Sequence, residues 1–227
     1  MNITLNEKEL RLKELLMVLP PDFDSIENLL CQDAYTVENI SKVGTDFAWE
    51  CVEECWDYFV EDDITRSEDI IPNLHSAYIC EVVSLLLRYG LDPNAIFEEE
   101  NIMDNLRYLD NGYLAADALV LLFEHGGNPN LICDGESVFE NVDFEVFFDA
   151  VEQKDRQRYA SLVHCWMVYL AFGGKLRNGN SSVETFLGFD LSKLKNHRDY
   201  YFGITRGESG PNIHIFDKKD MWEVARA

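Results

Sequence analysis

Two stretches decide the fold: EVVSLLLRYGLDPN at residues 81–94 and DALVLLFEHGGNPN at residues 117–130. Each is an apolar run with helical spacing, closed by a glycine and then by Pro-Asn. A helix this apolar must be buried over most of its surface. The glycine that follows can take the left-handed conformation that ends a helix, and the proline forbids continuation. A third segment, SLVHCWMVYLAFGGKL at residues 161–176, is built alike. The equivalent glycines are Gly90, Gly126 and Gly173, spaced 36 and then 47 residues, so the last repeat carries an insertion. Counting back from each glycine places Leu85 and Leu86, Leu121 and Leu122, and Val168 and Tyr169 at equivalent inward positions.

Both leading stretches resemble the second-helix half of an ankyrin repeat, E-I-V-x-L-L-L-x-x-G-A-D-x-N. After Asn130, LICDGESVFENV resembles the ankyrin finger and first-helix start, D-G-x-T-P-L-H-x-A, with Asp134 and Gly135 in the turn. Ser137, Val138, Phe139 and Glu140 stand where the family has T-P-L-H, so its hydrogen-bonding Thr and His are missing. PNLH at residues 72–75 is out of register and is discounted. The resemblance spans residues 70–176 and implies a mainly α, helical-hairpin solenoid. It also implies that loops and the concave helix face carry binding. On that analogy Phe97, Glu98, Glu99, Glu100, Asp134 and Glu136 lie on the binding side, with Phe97 as an apolar anchor inside an acidic rim.

Residues 1–69 read as helical pairs continuous with the stack. A helix is expected over residues 5–19, with Leu12, Leu15, Leu16 and Leu19 apolar. A second is expected over residues 25–31, capped by Asp22 or Asp24. A third is expected over residues 47–59, capped by Thr45 or Asp46, with Phe47, Cys51, Cys55 and Phe59 along one stripe. Trp49 and Trp56 read as core. Residues 61–69 form an acidic loop. Residues 177–227 read as a cap: strands at residues 200–206 and 213–216, a turn holding Gly207, Gly210 and Pro211, and a third short strand at residues 222–225.

Charge narrows the function. The chain has 42 acidic and 19 basic residues in 227, a formal charge of -23. From Asp92 to Asp155 there are 16 acids against Arg107 and Lys154 alone, whereas residues 175–227 hold 7 acids and 9 bases. Such a surface repels nucleic acid and anionic membrane, and it steers basic partners inward. Simple solubility is the competing reading of the same charge. None of the six cysteines forms a C-x-x-C pair, and Cys51 and Cys55 have poor disulfide geometry on one helix, so free thiols are expected. Residues 1–14 lack the apolar core of a secretory signal, and no apolar run reaches membrane-spanning length. The expected compartment is the cytoplasm.

No phosphate-binding loop, dinucleotide fingerprint, nucleophile elbow, zinc-protease or calcium-loop motif occurs. The five histidines, His75, His125, His164, His197 and His214, are scattered and read as core or surface residues. The expectation is therefore a binding module and not an enzyme, with no cofactor, metal, nucleic acid or membrane. Its sharpest form is an inhibitor of a basic protein, such as the immunity partner of a nuclease toxin. The alternatives are an ankyrin-type scaffold with a non-basic partner and, last, a carboxylate-based metal-dependent hydrolase.

Overall fold

The computed structural model describes residues 3–32, 34–56, 75–109, 111–133, 135–137, 156–175, 189–207 and 210–219. These are mainly helical. Helix α1 spans Glu7–Leu16, α2 Phe23–Gln32, α3 Val37–Trp56, α4 Ile79–Arg88, α5 Ile102–Leu106, α6 Gly112–Glu124 and α7 Arg156–Ala171. A two-residue ladder pairs β1 (Ile132–Cys133) with β2 (Glu136–Ser137). A 3-10 segment, Leu191–Asp199, leads into an antiparallel hairpin of β3 (Tyr200–Gly207) and β4 (Gly210–Asp217).

Local chemistry sets the boundaries. Asn6 and Glu9 form a reciprocal capping box on α1: the Asn6 side chain accepts from the Glu9 N–H at 3.0 Å, and Glu9 accepts from the Asn6 N–H at 2.8 Å. The helix stops at Leu16, so Leu19 lies beyond it and is partly exposed. Asp22, and not Asp24, caps α2 by accepting from the Ser25 N–H at 3.1 Å. Helix α3 starts ten residues earlier than expected. Thr36 caps it, accepting from the Asn39 N–H at 3.2 Å. Thr45 and Asp46 sit mid-helix because both have partners there. The Thr45 hydroxyl donates to the Ser41 carbonyl at 3.0 Å, and Asp46 pairs with Lys13 at 2.7 Å. Phe47 and Cys51 are buried as the stripe requires, and Trp49 is half-buried. The acidic loop at residues 61–69, Phe59 and the strand at residues 222–225 lie outside the described residues, as do the side chains of Cys55 and Trp56.

Helices α4, α6 and α7 pack in chain order, α6 touching both neighbours, while α3 packs on α1, α4 and α5. They share one core running from Leu12 on α1 to Leu194 in the 3-10 segment. Leu85, Leu86, Leu122, Val168 and Tyr169 are buried as expected, whereas Leu121 is only half-buried.

The three helices end alike. Leu91 donates to the Leu86 carbonyl at 2.9 Å, Gly127 to Leu122 at 2.9 Å and Gly174 to Tyr169 at 3.0 Å. In each case the preceding glycine has a positive φ, 100° at Gly90, 94° at Gly126 and 87° at Gly173. This is the left-handed helix end that the glycines foretold. At the C-terminus the hairpin register runs Tyr200↔Asp217 through Gly207↔Gly210, so Gly207 belongs to β3, and Gly210 and Pro211 to β4, rather than to the turn. A two-strand hairpin has only edge strands, where a proline without N–H is tolerated.

Two substitutions separate backbone from packing. A Cβ at Gly126 would meet no atom within 4 Å, so Gly126→Ala should cost only the left-handed strain, about 1–2 kcal/mol. Leu122 is fully buried, so Leu122→Ala should cost about 2–5 kcal/mol. Urea denaturation of both variants measures the difference.

Candidate functional site

The acidic residues singled out at 97–100 form a tight turn. Phe97 N–H donates to the Glu100 carbonyl and Glu100 N–H to the Phe97 carbonyl, both at 2.9 Å. Between them Glu98 and Glu99 have φ of 51° and 71°. Two consecutive left-handed residues are what a two-residue hairpin turn demands, and glycine or asparagine normally supplies them. Thirty-six residues later the turn recurs. Cys133 pairs with Glu136, and Gly135, at the position equivalent to Glu99, has a φ of 76°. The second finger thus has a glycine where the first spends strain on a glutamate.

The fingers are tied down from several sides. Cys133 Sγ donates to the Glu99 carbonyl at 2.8 Å, joining one finger to the next. The Asn101 side chain donates to the carbonyls of Pro93 and Ala95 at 2.9 and 2.8 Å and caps α5 by accepting from the Met103 N–H at 2.9 Å. Asn105 donates to the Thr45 carbonyl at 3.1 Å and to Glu100 Oε2 at 3.2 Å. Burial pushes the Glu100 carboxyl above its ordinary value, with the Asn105 bond opposing it.

A second tie repeats along the chain. The Asn94 side chain donates to the Gly126 carbonyl at 3.0 Å and accepts from the Asn128 N–H at 2.7 Å. Asn130 does the same to the following loop, donating to the Gly173 carbonyl at 3.2 Å and accepting from the Lys175 N–H at 2.8 Å. Ser41 takes the corresponding place one step earlier, its hydroxyl accepting from the Asp92 N–H at 2.8 Å. Each amide uses both ends on one neighbouring loop, which fixes the spacing of successive helix ends.

The expected anionic surface is partly consumed by the fold. Glu98 accepts from the Thr4 N–H at 3.2 Å, Glu100 from Asn105, and Asp92 from the Asn94 N–H at 2.9 Å. Asp104 pairs with Arg107 at 2.7 Å, and Asp117 with Arg198 at 2.6 Å. Glu99 and Glu124 are exposed. Phe97 is half-buried, and the exposed apolar residue of the first finger is its neighbour Ile96, at 42%. Ile132, 54% exposed, holds the same place in the second finger. Asp134 lies outside the described residues; Glu136 lies on β2, opposite Cys133. The Pro-Asn repeat carried the signal for the asparagine ties, and the 36-residue spacing of Ile96 and Ile132 carried that of the exposed pair.

One polar cluster was missed. His197, from the 3-10 segment, contacts His164 on α7 at 3.0 Å and Asp117 on α6 at 2.9 Å. The sequence separations of 33 and 80 residues hide this grouping from any local motif. Burial raises the Asp117 carboxyl, but the hydrogen bonds from Arg198 and His197 outweigh it and hold the group below its ordinary value. Among the described residues no group of His, Cys, Asp and Glu is arranged to hold a metal ion, and no helix is long and apolar enough to cross a membrane. The described cysteines Cys31, Cys51, Cys80, Cys133 and Cys165 form no disulfide.

Compared with known proteins, the chain matches no family model, no curated protein and no solved structure.

Two substitutions probe the fingers and their ties. Glu99→Gly should stabilise the chain by about 1 kcal/mol, because glycine relieves the left-handed strain without removing a side-chain bond. Asn130→Ala should destabilise it by about 1–2 kcal/mol, since two backbone groups lose their partner in partly solvated surroundings. Thermal and urea melts of both variants give the sign and the size.

Proposed function

We propose that this chain is an ankyrin-like helical-repeat module that acts in the cytoplasm by binding a basic protein, and not by catalysis. The repeated tie of Asn94 and Asn130, each clamping the loop after the next long helix, is the observation that carries the reading. Side-by-side helices with identical ends and projecting two-residue fingers are how a repeat stack presents a surface for a partner. The net charge of -23 supplies the long-range attraction for a cationic one. In its sharpest form the partner is a basic enzyme such as a nuclease toxin, whose phosphate-binding site a row of carboxylates would occupy. Among the described site residues, Glu99 is the carboxylate left most free for this role, and Glu136 holds in the second finger the place of Glu100 in the first.

One observation favours a second reading. Ile96 and Ile132 are exposed at equivalent places, so the fingers also offer an apolar pair to a partner that is not basic.

Salt separates the two. The partner is purified by low-salt capture on the full chain, and its affinity is then measured by calorimetry between about 50 and 500 mM salt. The basic-partner reading expects affinity to fall at least about tenfold over that range, and a further loss in a Glu99→Gln, Glu136→Gln variant. An affinity flat in salt, abolished by Ile96→Ser and Ile132→Ser, would replace it with the scaffold reading.

A further inference from the structure

The densest polar cluster among the described residues sits where α6, α7 and the 3-10 segment meet. His197 is 1% exposed and His164 6%. His197 Nε2 lies 2.9 Å from Asp117 Oδ1, and its Nδ1 lies 3.0 Å from Nδ1 of His164. These contacts fix every ring hydrogen. Asp117 is ionised and only accepts, so His197 Nε2 carries a hydrogen. In a neutral ring Nδ1 is then bare and must accept, so the hydrogen between the rings belongs to His164. The pair closes only with one hydrogen between its facing nitrogens. A first added proton still leaves one hydrogen there, and what opposes it is burial and the neighbouring cations; a second, on the other ring, sets two N–H groups head to head.

The surroundings disfavour added positive charge. From α6 come Asp117, already engaged by Arg198 at 2.6 Å, and Tyr113, whose ring lies 4.1 Å from that of His164. From the 3-10 segment comes Arg198, and from just after β4 comes Lys218, which donates to the Arg198 carbonyl. Cys80 of α4 completes the ring of titratable groups, and burial keeps it a neutral thiol. Burial, and then His197, Lys218 and Arg198, hold the His164 imidazole down at about 3. His197 is also lowered, by burial, with Asp117 opposing.

We propose that the His164–His197 pair is an acid-sensitive latch that, when neutral, fastens the C-terminal cap onto α6 and α7 and, when protonated, releases it. The cap is the 3-10 segment together with the β3–β4 hairpin. It anchors through Leu194, fully buried in the core, and carries Tyr200 and Ile215 against that core. Release would bare the flank of α7 around His164. An opened cap returns both rings to water and to their ordinary value of about 6.5. Protons then favour the open form, so the latch holds fully above about pH 6.5 and weakens progressively below it.

Hydrogen–deuterium exchange of the full chain, corrected for the intrinsic effect of pH, tests this. Peptides covering residues 191–217 should exchange about 25 times faster at pH 5 than at pH 7 if one ring is protonated only in the open form, and up to about 600 times faster if both are. Peptides of α1 and α4 should change little. Unaltered protection of the cap, or an equal loss throughout the chain, overturns the latch. In the H164N/H197Q double variant, whose amides can bridge the gap without titrating, the acid response should vanish; its persistence would also overturn the proposal. If that variant does not fold, proton NMR of the unmodified chain decides. Neither ring should titrate before the hairpin amides lose protection, and either ring titrating near pH 6.5 under intact amides refutes the latch.

Discussion

Everything in the middle of this molecule depends on how one loop is held at a fixed distance from the next. The long helices end in loops whose backbone groups would otherwise face water, and the Asn94 and Asn130 side chains answer one donor and one acceptor of each following loop. Such bonds contribute only about 1 kcal/mol each in net terms, far less than the burial of the leucines beside them. Their importance is geometric. Hydrophobic packing is tolerant of direction, whereas an amide satisfied at both ends permits one spacing and one orientation. The apolar faces of α4, α6 and α7 supply the driving force, and the asparagines set the register in which it is realised.

The first finger shows the opposite balance. Glu98 and Glu99 adopt left-handed conformations that cost about 1–2 kcal/mol apiece. The single exposed bond from Thr4 to Glu98 does not offset that. What holds the turn is the framework around it: the Asn101 and Asn105 side chains and the thiol of Cys133. Strain kept in place by a well-bonded surround is a recurring mark of functional sites, and here it falls on two exposed carboxylates.

The fold was legible where physical rules are local. Gly90, Gly126 and Gly173 announced their helix ends, and Gly135 its finger. The strand segments at residues 200–206 and 213–216, with glycine and proline between them, announced the hairpin. The start of α3 was not legible, because Thr45 and Asp46 are good caps by type, and only their tertiary engagements show that they are interior. The candidate site was legible in position more than in role. The acidic run at 98–100 does form a projecting turn, but two of its carboxylates serve the fold and Phe97 is half hidden. The histidine pair was beyond reach, since Asp117, His164 and His197 meet only when the C-terminal segment docks.

The asparagine joint is indifferent to what the chain does between its two halves. Asn94 reaches a backbone N–H 34 residues on, and Asn130 makes the same bond to one 45 residues on. The second joint spans eleven more residues of chain than the first and makes the same bond. Chains built on this plan can therefore lengthen or shorten inside a repeat unit while keeping its edges. Their kinship is better sought in paired helix-end signatures than in any constant period.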